Sequence, residues 1–230
     1  MPLKLSHLKA GRQRGEIGKK WRSCVLIARS GAIFCQQNDA VLTIRPSPGT
    51  IIVRSQPSLR PFDIAVALRL LLAPEERYEP LAAALVTSTS AVHRSVARLQ
   101  LAGLCVPSRR TIVGPALREF LAHGVRFAFP PAIGPERAGM ATAWGHPDAA
   151  NWVGATSFPP RPMVWPSEQG TSRGETLVPL FRNVIAVAAA DDRLYQLLAM
   201  VDMCRVGDDS IRSAVVESMD LVVGGALGGS

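Results

Sequence analysis

Between positions 78 and 104 the chain reads YEPLAAALVTSTSAVHRSVARLQLAGL, the stretch that most narrows what it can fold into. Leu81, Ala82 and Leu85 recur at helical spacing before a run of hydroxyl residues, and Val92, Val96 and Leu99 recur after it. This pattern predicts two amphipathic helices joined by a tight turn. Thr87, Ser88, Thr89 and Ser90 supply the break, because a hydroxyl there accepts a hydrogen bond from the unpaired amides that open the second helix. Gly103 supplies the end, since glycine takes the left-handed backbone that closes a helix.

On the second helix the side chains turned away from Val92, Val96 and Leu99 are Thr89, Ser90, His93, Arg94, Ala97 and Arg98. They are small, polar or cationic, and no acid occurs anywhere in 88–118. A helix-turn-helix needs such a face: the second helix seats its apolar side on its partners while its N-terminal half enters a DNA major groove. A surface helix pair in any all-helical protein also has an apolar stripe and a polar face. The short first helix, the hydroxyl-rich break and the acid-free face are what favour nucleic acid here.

Charge along the chain points the same way. Residues 1–60 carry 11 basic and 2 acidic side chains, residues 61–137 carry 9 and 6, and residues 138–230 carry 6 and 10, for a total of +8. A basic front and an acidic back suit a DNA-facing part followed by a part that meets something else.

Residues 1–58 read as a basic extension. Its first 22 residues lack apolar periodicity and are expected to be a disordered arm, and 21–55 holds short branched runs at 24–27, 41–44 and 50–53 that fit a small antiparallel sheet. Residues 61–73 predict a helix, with Pro61 at its start, Ile64, Leu68 and Leu71 as its stripe, and Pro74 after it. After Leu104, Cys105-Val106 and 111–113 fit the two arms of a β-hairpin with Arg109 and Arg110 at its tip, placed to neutralise phosphates. A helix over 116–125 follows, and 125–129 alternates as a strand should.

Residues 132–175 are rich in proline, glycine and tryptophan and read as a connecting loop, partly packed through Trp144, Trp152 and Trp165. Those three tryptophans also suggest a small-molecule pocket. Two helices, 191–205 and 209–221, form a C-terminal hairpin that either packs on the core or pairs with its copy, and 224–230 should fray. The fold expected is mainly α with a small β component, its winged helix-turn-helix domain at 59–131, the Pro/Gly/Trp-rich connecting segment at 132–175 and the C-terminal helical hairpin at 176–230.

Taken together, RPFDIAVALRLLLAPEERYEPLAAALVTSTSAVHRSVARLQLAGL resembles the helix-turn-helix of MarR-type winged-helix regulators. Beyond it, ALREFLAHGVRFAFPP, the 137–144 loop, VWPSEQGTSRGETLVPLF and DDRLYQLLAMVDMCRVGDDSIRSAVV resemble a little-characterised group of bacterial winged-helix proteins. The resemblance spans 59–216. It implies transcription regulation through sequence-directed binding of double-stranded DNA by a homodimer. Base contacts are then expected from Ser88, Thr89, Ser90, His93 and Arg94, and phosphate contacts from Arg98, Arg109 and Arg110. The alternative is a protein-binding, antitoxin-like or accessory module of a two-protein system, without DNA readout.

No constellation for catalysis, cofactor or metal is evident. No phosphate-binding glycine loop with a lysine occurs, and His7, His93, His123 and His146 lie far apart. Asp191, Asp192, Asp208 and Asp209 flank helix ends, where capping explains them. The purest apolar runs fall short of the roughly 20 residues a bilayer span requires. The apolar stretch 25–34 is interrupted by Arg29 and Gly31, unlike a signal peptide, and Cys24, Cys35, Cys105 and Cys204 are scattered, so a cytoplasmic protein is expected.

Overall fold

The structure, a computed structural model, describes residues 25–29, 32–37, 40–44, 58–154, 158–224 and 227. The chain divides into two compact units, Met1–Ser55 and Gln56–Ser230. The expected basic arm, the run 50–53 and most of the C-terminal tail lie outside the described residues.

In the first unit β1 (Val25–Arg29), β2 (Ala32–Gln37) and β3 (Ala40–Ile44) form an antiparallel meander. Val25 pairs with Gln36 and Arg29 with Ala32, then Ile33 with Ile44 and Gln37 with Ala40. The small sheet expected here is present, but its central strand is 32–37, which the branched runs had not marked.

The second unit opens with α1 (Pro61–Leu72), whose Ile64, Leu68 and Leu71 are buried as their spacing requires. Next come α2 (Tyr78–Ala84) and α3 (Thr89–Leu101). The Ser88 hydroxyl accepts from the Ala91 amide at 3.3 Å, capping α3. Gly103 takes φ +74° and ends it, while the Leu104 amide returns to the Leu99 carbonyl at 2.9 Å. The following hairpin is short: Cys105 bridges Ile112, and the Val106 and Val113 amides donate to the carbonyls of Thr111 and Leu104, each at 2.9 Å.

The alternating stretch after residue 124 is not a strand. α4 (Gly114–Glu119) runs through a π-turn, Phe120–Gly124, into α5 (Val125–Ala128). The buried apolar side chains are Leu117, Leu121, Val125 and Phe129, a spacing of four, whereas Phe127 is 75 % exposed. Packing along one helical face therefore overrides the local alternation, and Pro130 halts the rod.

Nor is 132–175 simply a loop. It folds into β4 (Ile133–Thr142), a 3₁₀ turn at Ala143–Gly145, α6 (Ala149–Val153), β5 (Met163–Pro166) and β6 (Ser172–Leu177). Each strand pairs with the other two, antiparallel except for β5 with β6, which closes a small barrel. The glycines are there for closeness. A Cβ on Gly170 would strike the backbone of Gly139, and one on Gly139 would strike the carbonyl of Trp165. Partial packing of the tryptophans holds, with Trp165 and Trp152 buried and Trp144 half-buried.

Three helices close the unit: α7 (Val184–Ala190), α8 (Asp192–Val206) and α9 (Asp209–Val222). The carboxylates of Asp191 and Asp208 cap α8 and α9, accepting from the Leu194 and Ile211 amides at 3.0 and 2.9 Å. Leu194, Leu197, Leu198, Val201 and Cys204 are all buried, as the stripe predicts. So are Ala199, Met200, Asp202, Met203 and Arg205, so the second half of α8 is enclosed on every side. It is a central helix, packed by α1, α5, α7, α9 and β4.

One polar knot fastens the barrel to α8. The fully buried Asp202 carboxylate accepts from the Trp165 indole at 2.6 Å, the Thr142 hydroxyl at 2.9 Å and the Arg205 guanidinium at 2.7 Å. Arg205 also donates to the carbonyls of Phe129 (2.9 Å), Pro130 (3.3 Å) and Val178 (3.4 Å), which binds the end of α5 and the exit of β6 to the same point. Burial pushes the Asp202 carboxyl above the usual range, and the charge of Arg205 opposes that shift.

A second cluster introduces a pH dependence. His146 packs its ring 4.5 Å from those of both Trp152 and Tyr195, and its Nδ1 accepts from the Asp148 amide at 3.1 Å, which places the neutral ring's proton on Nε2. Burial lowers the His146 pKa, with Asp148 pulling it partly back. Between the lowered folded value and the ordinary value near 6.5, the unfolded chain binds more protons. The contribution of His146 is therefore complete above that window and is lost as pH falls through it. Urea melts are expected to show a lower midpoint at pH 5.5 than at 7.5, with a shallower dependence in His146→Gln. Equal pH dependence in the two proteins would refute this.

Candidate nucleic-acid interface

α3 is seated by its inner face. Val92, Val96 and Leu99 are buried, and Ser95 beside them is fully buried as well. Its position is further locked by an ion pair: Arg98 donates through Nε at 2.8 Å and Nη2 at 2.6 Å to the two oxygens of Asp63, a carboxylate with no exposure. Asp63 also accepts from the Arg60 amide at 2.8 Å at the start of α1. The fork-to-carboxylate geometry holds the Arg98 guanidinium protonated more firmly than usual. Arg98, expected from the sequence to meet phosphate, instead fixes α3 to α1.

The outer face is free of such commitments. Ser88, Ser90, His93, Arg94 and Ala97 are exposed and Thr89 is half-buried. At helical spacing Ser90, His93, Arg94 and Ala97 share one side of the helix. The head of α2 meets that side at His93 through Tyr78, Ser90, Arg94 and Ala97 stay exposed, and the indole N–H groups of Trp144 and Trp165 donate elsewhere, to Arg161 and Asp202. Trp152 and Trp165 pack into one run of rings through His146 and Tyr195, while the Trp144 indole donates to the Arg161 carbonyl.

The hairpin tip is held beside this face through one aromatic ring. Tyr78, at the start of α2, stacks on His93 with centroids 3.7 Å apart and planes inclined by 23°. Arg110 lies over the Tyr78 ring at 4.6 Å and donates to the Glu76 carbonyl. Arg110 is thus half-buried and partly occupied, whereas Arg109 stands exposed. The Cys105 thiol, its pKa raised by burial, donates back to the Arg109 carbonyl at 3.6 Å and tightens the turn.

The structure therefore joins His93 on α3 to Arg110 on the hairpin through Tyr78, leaves Ser88, Ser90, Arg94 and Arg109 exposed with Thr89 half-buried, and commits Arg98 to Asp63. Sequence reasoning missed Tyr78 and Asp63. An acid three residues into α1, inside an otherwise apolar helix, was the available signal for Asp63. The aromatic ring at the head of α2 was the one for Tyr78.

Chemistry of other kinds finds little here. Among the described residues no group of three His, Cys, Asp or Glu side chains is placed to hold a metal ion, and no helix is long and apolar enough to cross a membrane. Cys204 is fully buried with its thiol pushed up to about 12, so it is no nucleophile. The described residues form a mainly helical fold with small sheets, and α3 carries Ser90, His93, Arg94 and Ala97 on an exposed face. No protein family, curated protein or solved structure matches the chain.

Proposed function

We propose that this chain is a sequence-specific double-stranded DNA-binding transcriptional regulator, MarR-like in layout, in which α3 is the recognition helix and the 105–113 hairpin is a minimal wing. The observation that carries the reading is the contrast between the two sides of α3. One side is bolted down by Val92, Val96, Leu99 and the Arg98–Asp63 pair, and the other offers hydroxyls, an imidazole and Arg94 to solvent. In this mechanism Arg94 and His93 read base edges, Ser88, Thr89 and Ser90 set the approach of the helix, and Arg109 neutralises a backbone phosphate.

A homodimer on a roughly palindromic site fits this arrangement. Because α8 is enclosed, pairing falls to other surfaces; Leu221 near the end of α9, 83 % exposed, is a large apolar side chain open to a second copy.

Selection from a random DNA library, followed by gel-shift titration on the enriched site, tests the proposal. Arg94→Ala is expected to weaken binding to that site by about 1–3 kcal/mol and to relax preference at one position. Arg109→Ala is expected to weaken binding to all sequences alike and to reduce the salt slope by about one unit. Failure to enrich any sequence, with co-purification of a protein partner, would move the assignment to a protein-binding module.

A further inference from the structure

The loop 178–183, which joins β6 to α7, touches two places of different character. Its first residues, with Leu59 and Pro61 before and at the head of α1 and Phe129 and Pro130 at the end of α5, line an open cavity of about 450 Å³. That volume lies in the range that takes small molecules. Its later residues reach α1 and the turn that leads into α3: Phe181 meets Phe62 of α1 edge-on at 5.3 Å, and the Asn183 amide donates to the Val86 carbonyl at 2.9 Å. Val86 sits in the turn before α3 at φ +49°, a left-handed conformation that a branched side chain resists.

Arg205 is the polar member of the cavity lining, and its side chain is only 4 % exposed. Of the five N–H groups of a guanidinium, four go to Phe129, Pro130, Val178 and Asp202. One on Nη2 is left without an acceptor among the described residues. The charge of Arg205 is already balanced by Asp202. An anion entering here would lose its hydration for a cation that is already matched, whereas a neutral oxygen meets the spare N–H without that cost.

The geometry points to an effector site in this cavity for a small apolar molecule carrying one neutral acceptor oxygen, an amide, ketone or ester. Its apolar body lies against Leu59, Phe129 and Leu180 and its oxygen accepts from Arg205 Nη2. Occupancy displaces the loop, and Asn183 passes the displacement to Val86 and so to the seating of α3. Only this last consequence, a change in DNA affinity, rests on the function proposed above.

The test uses the full chain, labelled with ¹⁵N and free of DNA, titrated with 1-naphthylacetamide and separately with 1-naphthaleneacetate. The amide is expected to bind at least tenfold more tightly than the acid and to shift the backbone signals of Leu180 and Asn183, then those of Val86 and Thr87. Leu180→Trp, which fills the cavity from its wall, is expected to weaken amide binding at least tenfold while leaving the circular dichroism spectrum unchanged. Equal or tighter binding of the acid, unchanged binding in Leu180→Trp, no binding to the wild-type chain, or shifts that stop at Leu180 would each overturn the proposal. A chain that binds the amide in this way but selects no DNA site would sink the regulator reading and leave the effector site standing.

Discussion

Asp202→Ala is expected to destabilise the Gln56–Ser230 unit by about 3–5 kcal/mol, on the order of 10 °C in Tm. The size follows from what is left behind rather than from what is removed. Asp202 is entirely enclosed, and its loss strands the Arg205 cation with the Trp165 indole and Thr142 hydroxyl as unpaired donors. Asp202→Asn, which keeps an acceptor oxygen for Trp165 but not the charge, should fall between alanine and the wild type. Arg205→Met removes a positive charge yet orphans the carbonyls of Phe129, Pro130 and Val178 together, so it is not expected to rescue Asp202→Ala. Urea denaturation of the four proteins checks this order, and a loss below about 1 kcal/mol for Asp202→Ala, the range of a surface pair, would refute the claim that this knot holds the barrel to α8.

Asp63→Ala is the second large effect, expected to cost about 2–4 kcal/mol, toward the lower end of the buried-pair range because Arg98 keeps some contact with solvent. Its diagnostic value lies in the comparison with Arg98→Ala. If Arg98 met a phosphate, its removal would lower the salt slope of DNA binding by about one unit and leave folding almost untouched. As a residue that positions α3, it is expected to do the reverse: a lower urea midpoint, weaker binding to every sequence, and an unchanged salt slope. A double-mutant cycle between positions 63 and 98 should give a strong coupling energy, and independence of the two substitutions would refute the positioning role.

The helices and their ends were legible in the sequence because each rests on local chemistry. The stripe Ile64, Leu68, Leu71 marks α1, Ser88 marks the start of α3, and Gly103 marks its end. The barrel was hidden for a physical reason. In β4 only Gly139 and Thr142 are buried, and β5 buries Met163, Val164 and Trp165 in a row, so neither strand shows the alternation that marks a half-buried sheet. The barrel's glycines serve close backbone contact, which in composition is indistinguishable from a turn. α5 failed in the opposite direction, since Val125, Phe127 and Phe129 alternate perfectly while the core selects only the first and last. Within the candidate site, the exposed face of α3 was readable from its periodicity. The fate of Arg98 was not, because its partner lies thirty-five positions earlier on another helix.

The ring of Tyr78, in contact with both His93 and Arg110, has an implication for anyone wishing to alter the outer face of α3. Position 93 cannot be rewritten alone: an aliphatic substitute gives up the stack, loosens the ring and lets the tip drift from the helix beside it. Transplanting a foreign outer face onto α3 should therefore succeed only when residues 78, 93 and 110 travel as a set.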